Sequence, residues 1–140
     1  MNNLNTLHDI TTFENQGDLV FLENESSNGG AAINNVFLRE SDSERGSEEL
    51  YLFNNQGNVV FENNKAILNS NGGAINHNMG GNSLTGKKSY TNKGNVEFRD
   101  NSTEAFGGAI YNYSNHVSSV NSDEYANDGH VLFENNYAGD

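Results

Sequence analysis

The stretch YTNKGNVEFRDN, residues 90–101, decides the fold because the chain contains it four times in related forms. The other copies are FENQGDLVFLEN at 13–24, FNNQGNVVFENN at 53–64 and YANDGHVLFENN at 125–136. All four have an aromatic residue, then Asn, Gly, Val or Leu, and Phe, with a further Asn three residues after the Phe. Self-similarity at a nearly constant period indicates a repeat architecture, which outranks any local signal.

A second motif, Gly-Gly-Ala, follows the first three copies. Its glycine pairs are Gly29 and Gly30, Gly72 and Gly73, and Gly107 and Gly108. An Ile comes after each motif, and in the first copy an extra Ala precedes Ile33, which predicts a one-residue bulge or shift. Two glycines before a short apolar pair indicate a tight corner that leads into a strand.

An apolar residue precedes each Phe by two positions, as in a half-buried strand; the pairs are Leu19/Phe21, Val59/Phe61, Val96/Phe98 and Val131/Phe133. The residues between the apolar positions should point outward; they are Val20, Val60, Glu97 and Leu132. Helix formation is disfavoured because Asn and Gly are abundant. Each repeat therefore predicts three short strands: one ending near the first aromatic residue, one containing Val-x-Phe, and one after Gly-Gly-Ala.

These features predict an all-β protein with a right-handed parallel β-helix, or solenoid, of about 3–4 coils. Neighbouring coils should stack at the usual strand spacing of about 4.7–4.9 Å. Loop insertions should follow the Gly-Gly-Ala-Ile strand and leave the coil on one side, at 35–49, 77–88 and 113–123. Residues 1–12 are expected to form a leading strand or partial cap, and residues 13–140 the repeat segment.

The structural motif residues should form columns along the coil axis. The Phe side chains should stack inside, and the Asn that follows each of them should form a ladder at a corner, where its amide can bond backbone groups of a turn. These positions are Phe21, Asn24, Phe61, Asn64, Phe98, Asn101, Phe133 and Asn136, with Ile75 and Ile110 beginning an aliphatic column. Residues 133–140 stop where another Gly-Gly-Ala would start, so we expect a section of a longer array whose open end coil favours end-to-end self-association.

Composition excludes several classes of partner. The net charge of −12 should repel nucleic acid and anionic membrane surfaces. The chain has no cysteine for disulfides or Cys-based zinc sites. It shows no signal peptide and no apolar run long enough for direct membrane insertion by this segment. No cofactor motif is present.

A search for catalytic or metal-binding residues finds no convergent constellation. Two outward columns, Glu23/Asn63/Asp100/Asn135 and Leu22/Glu62/Arg99/Glu134, are best explained by structure, the second as an ion-pair ladder across coils. The four histidines lack ligand spacing and are expected to be exposed. No metal site is predicted. The residues most suited to binding a partner or Ca²⁺ lie in the first insertion and are Glu40, Asp42, Glu44, Glu48 and Glu49.

The Phe-x-x-Asn positions, in register with three Gly-Gly-Ala motifs, resemble the repeats of the polymorphic outer membrane protein family known from chlamydiae. The resemblance covers 13–140 and implies an autotransporter passenger that is exposed at the cell surface or secreted, with leader and anchor outside this chain. We therefore expect a non-catalytic, adhesin-like repeat module whose loops bind a host-cell protein or glycan. The alternative is a polysaccharide-active enzyme of the pectate-lyase type, or its remnant, since such enzymes also use β-helices.

The predicted Phe column can be tested by truncating one of its central members. Phe98→Ala should lower the free energy of unfolding by about 3–5 kcal/mol, as truncation of a core Phe does. Denaturant melts measure the change. A loss below about 1 kcal/mol would contradict an interior column, because a buried ring contributes more than that.

Overall fold

The computed structural model describes residues 2–5, 10–37, 48–79, 85–114 and 122–139, which form strands and no helix. None of these described ranges therefore offers a helix that could cross a membrane. The strands are β1 Asn2–Asn5, β2 Ile10–Asn15, β3 Asp18–Leu22, β4 Glu25–Ser26, β5 Ile33–Phe37, β6 Glu48–Asn55, β7 Asn58–Glu62, β8 Lys65–Ala66, β9 Ile75–Met79, β10 Thr85–Asn92, β11 Asn95–Arg99, β12 Ser102–Thr103, β13 Ile110–Ser114, β14 Ser122–Asn127, β15 His130–Glu134 and β16 Tyr137–Ala138.

The strands form four parallel sheets of four strands each. Sheet A has the order β1-β5-β9-β13, sheet B β2-β6-β10-β14, sheet C β3-β7-β11-β15 and sheet D β4-β8-β12-β16. The chain passes through sheets B, C, D and A in turn before it returns to B, so coil 1 is β2–β5, coil 2 is β6–β9, coil 3 is β10–β13 and coil 4 is β14–β16. The predicted all-β fold with a parallel β-helix is confirmed.

Two details of the prediction are wrong. Each coil has a fourth face, sheet D, because a two-residue strand follows the ladder Asn and is too short to show an alternating pattern. The predicted insertions are also too long, since β5, β6, β9, β10, β13 and β14 extend into them. Residues 38–47, 80–84 and 115–121 of those insertions lie outside the described residues.

Aromatic rings stack in two interior columns. In the predicted column, Phe61 lies 4.8 Å from Phe21 and 4.8 Å from Phe98, measured between ring centroids, with the planes within 4° of parallel. Phe133 continues it at 4.9 Å from Phe98. The second column joins the first aromatic residues of the four repeats, namely Phe13, Phe53, Tyr90 and Tyr125. Together with the aliphatic residues around Ile75, these rings fill the core.

The predicted asparagine ladder is present and joins all four coils. Each side-chain amide donates to Oδ1 of the Asn in the next coil, at 2.8 Å from Asn24 to Asn64, 2.9 Å from Asn64 to Asn101 and 2.9 Å from Asn101 to Asn136. Asn101 Nδ2 also donates to the carbonyl of Phe61, and its Oδ1 accepts the backbone N–H of Asn64. This first asparagine ladder thus satisfies backbone groups that the corner leaves unpaired.

A second asparagine ladder was not recognised from the sequence, although its Asn-x-Gly signal is part of the repeat. Asn15, Asn55, Asn92 and Asn127 are joined by amide bonds of 2.8–2.9 Å. Each of them also donates to the carbonyl of the Gly two residues later. The Asn therefore bridges two coils and closes a turn at the same time.

The left-handed residue at the corner is not the ladder Asn but the residue before it. Glu23, Asn63, Asp100 and Asn135 all have φ of 52–53°. This backbone conformation is uncommon for residues other than Gly and is least costly for Asn and Asp. In coils 1 to 3, the ladder Asn of the next coil holds the backbone on both sides of this residue; Asn101, for example, bonds the carbonyl of Phe61 and the N–H of Asn64, which flank Asn63.

The extra Ala of the first copy is accommodated before strand β5. Ile33 pairs with Ile75 in register, and the N–H groups of both Ala32 and Ile33 donate to the carbonyl of Ala74. The equivalent bonds join Ala74 and Ile75 to Ala109 one coil further on. The predicted one-residue shift therefore lies in the glycine corner and leaves the sheet undisturbed.

Contacts between backbones of successive coils explain the glycine of each repeat. A Cβ on Gly57 would lie 2.1 Å from the carbonyl oxygen of Gly17, and one on Gly94 would lie 2.0 Å from that of Gly57. By contrast, a Cβ on Gly17 would have nothing within 4 Å. Neither Gly17 nor Gly57 has a left-handed φ, so steric contact alone distinguishes them.

This contact predicts opposite effects for one substitution at two equivalent positions. Gly57→Ala should destabilise the chain by about 1–3 kcal/mol, because the methyl group forces two coils apart. Gly17→Ala is the matched control and should be neutral, or stabilising by up to about 1 kcal/mol through the unfolded state. Urea melts of both variants measure the difference. Equal stability would show that the coils do not touch at this corner.

The first asparagine ladder predicts a burial-dependent cost. Asn101→Ala should destabilise by about 2–4 kcal/mol, since several buried groups lose partners at about 1–3 kcal/mol each. Asn58 provides the control because it makes similar amide bonds to Asp18 and Asn95 but is exposed. Water can replace these bonds, so Asn58→Ala should cost about 0.5 kcal/mol or less. Thermal and denaturant melts measure the stability of both variants. Equal losses of stability in Asn101→Ala and Asn58→Ala would show that burial of the ladder does not determine its contribution.

Candidate functional site

The outward column Leu22/Glu62/Arg99/Glu134 contains ion pairs but no catalytic arrangement. The strand register places Arg99 beside Glu62 and Glu134, as predicted. Arg99 Nη2 lies 2.7 Å from Glu97 Oε2 and Arg99 Nε lies 3.7 Å from Glu134 Oε2. Glu97 was not predicted as a partner, yet it lies two residues earlier on the same face of the strand. These exposed pairs contribute about 0–1 kcal/mol, so their role is structural and small.

The other outward column, Glu23/Asn63/Asp100/Asn135, forms the exposed left-handed corner described above. Its carboxylates are separated by amides and do not converge. Among the described residues, no group of three or more His, Asp or Glu side chains could hold a metal ion.

The predicted binding residues of the first insertion are not brought together within the described structure. Glu40, Asp42 and Glu44 lie outside the described residues. Glu48 and Glu49 do not belong to a loop, because they begin strand β6 and pair in register with Thr85 and Gly86 of β10. A role of these five residues in binding stays a prediction.

The histidines do not form a site in the described structure, but one of them is not exposed as predicted. His77 is 2% exposed on β9. Its Nδ1 lies 3.1 Å from the side-chain amide of Asn35, and its ring meets the ring of Tyr90 edge-on at 5.2 Å. His130 is exposed at the start of β15, and His8 and His116 lie outside the described residues. His77 is therefore part of the packed interior.

A cavity of about 190 Å³ is lined by residues of the second, third and fourth coils. Rings of both aromatic columns line it, among them Tyr90, Phe98, Tyr125 and Phe133. Tyr125 and Phe133 are 61% and 57% exposed, because they lie on β14 and β15, the edge strands of sheets B and C. The cavity is thus the continuation of the hydrophobic interior and not a separate active site.

A row of aromatic side chains on the outside of coil 3 was missed in the sequence. The ring centroids of Phe106 and Tyr111 lie 6.3 Å apart, and those of Tyr111 and Tyr113 lie 6.1 Å apart with planes 4° from parallel. Phe106 is 68% exposed and Tyr113 is 40% exposed. The pattern occurs in one repeat only, so the periodicity of the sequence could not reveal it. The available signal was the alternation of Tyr111 and Tyr113 along the strand. We call these three residues the aromatic row.

Comparison with known families identifies the repeats. The model of the Chlamydia polymorphic membrane protein repeat matches residues 58–78 and 95–113. Both stretches begin at the strand of sheet C and end in the strand of sheet A, so they are equivalent parts of coils 2 and 3. Comparison with curated protein sequences and with solved structures gives no significant match. Residues 58–78 and 95–113 are thus similar to the Chlamydia polymorphic membrane protein repeat, which agrees with the resemblance seen in the Phe-x-x-Asn and Gly-Gly-Ala motifs.

Proposed function

We propose that the chain is a non-catalytic, adhesin-like display module at the cell surface, or in secreted form, that binds a host-cell protein or glycan. Members of the repeat family are outer-membrane and surface proteins, which supports this location. The repeat family is not a known enzyme family, which supports a non-catalytic role over the polysaccharide-active alternative.

The observation that carries the proposal is that the inward residues of the sheet C strands are constant between coils while their outward residues vary. On sheet C the inward residues at one register position are Phe in all four coils. The outward residues beside them differ in size and charge, from Val20 and Val60 to Glu97 and Leu132. An interior of constant residues with a variable exterior is what a scaffold needs when its surface carries the specificity.

The links between sheets A and B vary between repeats in length and composition. In coils 1, 2 and 3 the chain leaves sheet A and enters sheet B through residues 38–47, 80–84 and 115–121. These segments share no motif, and the first is rich in Glu, Asp, Ser and Arg while the second is uncharged. Since all three join the same two sheets, they are the positions at which loops can vary while the coils keep their register.

The proposal is tested by replacing the three links with Gly-Ser sequences of equal length in the 140-residue chain. Labelled protein is incubated with cultured epithelial cells, and bound protein is measured by flow cytometry. We expect the replacement to reduce binding, because it removes link residues that differ between coils while the outward faces of the strands remain. Circular dichroism and melting curves confirm that the replaced chain folds.

Leu22→Glu serves as the control, because Leu22 is exposed on β3 and its register partner on β7 is Glu62. This variant should bind cells as well as the unmodified chain. Undiminished binding after all three replacements would contradict display by the links. Absence of binding by the unmodified chain would contradict the adhesin-like role itself.

A further inference from the structure

The aromatic row occupies positions at which the preceding coil has three asparagines. The strand register pairs Tyr111 with Asn76 and Tyr113 with Asn78. At the corner before the strand, the N–H groups of Gly72 and Gly73 donate to the carbonyls of Phe106 and Gly107, which makes Phe106 the equivalent of Asn71. Coil 2 therefore builds the same corner and strand without any of these rings.

The replacement of Asn by Tyr at one of these positions interrupts a hydrogen-bonded ladder. Asn76 Nδ2 donates to Asn34 Oδ1 at 2.8 Å, so that the later coil donates to the earlier one, opposite to the direction of the two full ladders. An Asn at position 111 would continue it by donating to Asn76 Oδ1. In the described part of the chain, that buried oxygen has no hydrogen-bond partner. Leaving a buried acceptor unpaired costs stability, so Tyr111 departs from the rule of the fold, and such departures concentrate at functional positions.

The geometry of the row leaves ring surface available to a ligand. Separations of 6.1 and 6.3 Å fall in the range of offset arrangements of about 4.5–7 Å, in which rings do not cover each other fully. The exposed fractions of Phe106 and Tyr113 agree with this. Three adjoining rings form an elongated apolar surface on the outside of sheet A and its preceding corner.

Charge and neighbouring groups narrow the class of ligand. Nucleic acids, sulfated glycans and sialylated glycans could also pack on aromatic rings. The net charge of −12 disfavours them, because all three are anionic. A neutral sugar ring has an apolar C–H face that packs on an aromatic ring, and hydroxyl groups that bond to amides and phenols. Asn71, whose Oδ1 accepts the N–H of Phe106, lies beside the row, whereas Asn112 points to the other face of the strand and donates to the hydroxyl of Tyr125.

We infer that the aromatic row is a binding site for a neutral oligosaccharide, whose successive sugar units pack on Phe106, Tyr111 and Tyr113. This inference rests on the proposed display function, because it names the ligand class and the surface that one coil presents. It does not depend on the links between sheets A and B. Its test can therefore fail while display by those links stands.

The test uses a glycan array with the unmodified chain and with the triple variant Phe106→Asn, Tyr111→Asn and Tyr113→Asn. The array holds chito-oligosaccharides, β-glucan fragments, mannan fragments and lactosamine chains, each lactosamine chain with and without terminal sialic acid. We expect at least one neutral glycan to bind, and its sialylated form to bind more weakly. If each ring contributes up to about tenfold in affinity, as aromatic stacking does, the triple variant should bind that glycan on the order of a hundredfold more weakly.

The substitutions introduce the residues that coil 2 already has, so the variant should fold, and Tyr111→Asn should extend the ladder at Asn76. Circular dichroism and melting curves check this, and the single variants Phe106→Asn and Tyr113→Asn give a second readout. Leu22→Glu, which removes an exposed apolar side chain from another face, should leave glycan binding unchanged.

Three outcomes would overturn the inference. The first is that no neutral glycan on the array binds. The second is that the folded triple variant binds as tightly as the unmodified chain. The third is that sedimentation velocity finds the unmodified chain oligomeric and the triple variant monomeric. That result would mean that the row is buried between copies of the chain.

Discussion

Every residue of the repeat lies directly over its own equivalent, and this constraint determines which side chains the interior can hold. Parallel in-register stacking sets the spacing, seen as 4.8 Å between Phe61 and both of its neighbours in the column. A side chain in such a column must be compatible with a copy of itself one strand away. Flat rings satisfy this condition by stacking, and amides satisfy it because they carry a donor and an acceptor. A buried charge cannot, since like charges would repel at every step.

The same constraint accounts for the distribution of polar residues in this protein. Amides fill the two corner ladders, where they also bond carbonyls and N–H groups that the turns leave without partners. Charged residues are placed outward, and there the repeat is broken so that Arg99 lies between carboxylates. Glycine is required where one backbone lies against the next, as between Gly57 and Gly17. The strong polarity of the sequence is therefore compatible with a packed and hydrogen-bonded interior.

Repeated features of the structure could be predicted from the sequence, and features without a repeat could not. The Phe column and the first asparagine ladder were predicted because four equivalent residues point to a shared contact. The second ladder had the same signal in Asn-x-Gly, but its hydrogen bonds between coils were not inferred. Sheet D was missed because two residues are too few to alternate. His77 was expected to be exposed. Its burial could not be inferred, because it packs against the ring of Tyr90, which belongs to another coil. The aromatic row occurs in one coil only among the described residues, so nothing in the repeat pattern pointed to it.

The backbone contact at the repeat glycines has a consequence for how such a chain can change in length. Gly57 meets Gly17 in the way that Gly94 meets Gly57 and Gly129 meets Gly94. The junctions between successive coils are therefore alike at this corner, and a coil can be duplicated or removed as a unit without creating a new kind of junction there. What changes is the height along the axis at which a coil-specific feature is carried. Unequal recombination between copies would thus move a recognition surface relative to its neighbours while leaving its own geometry intact.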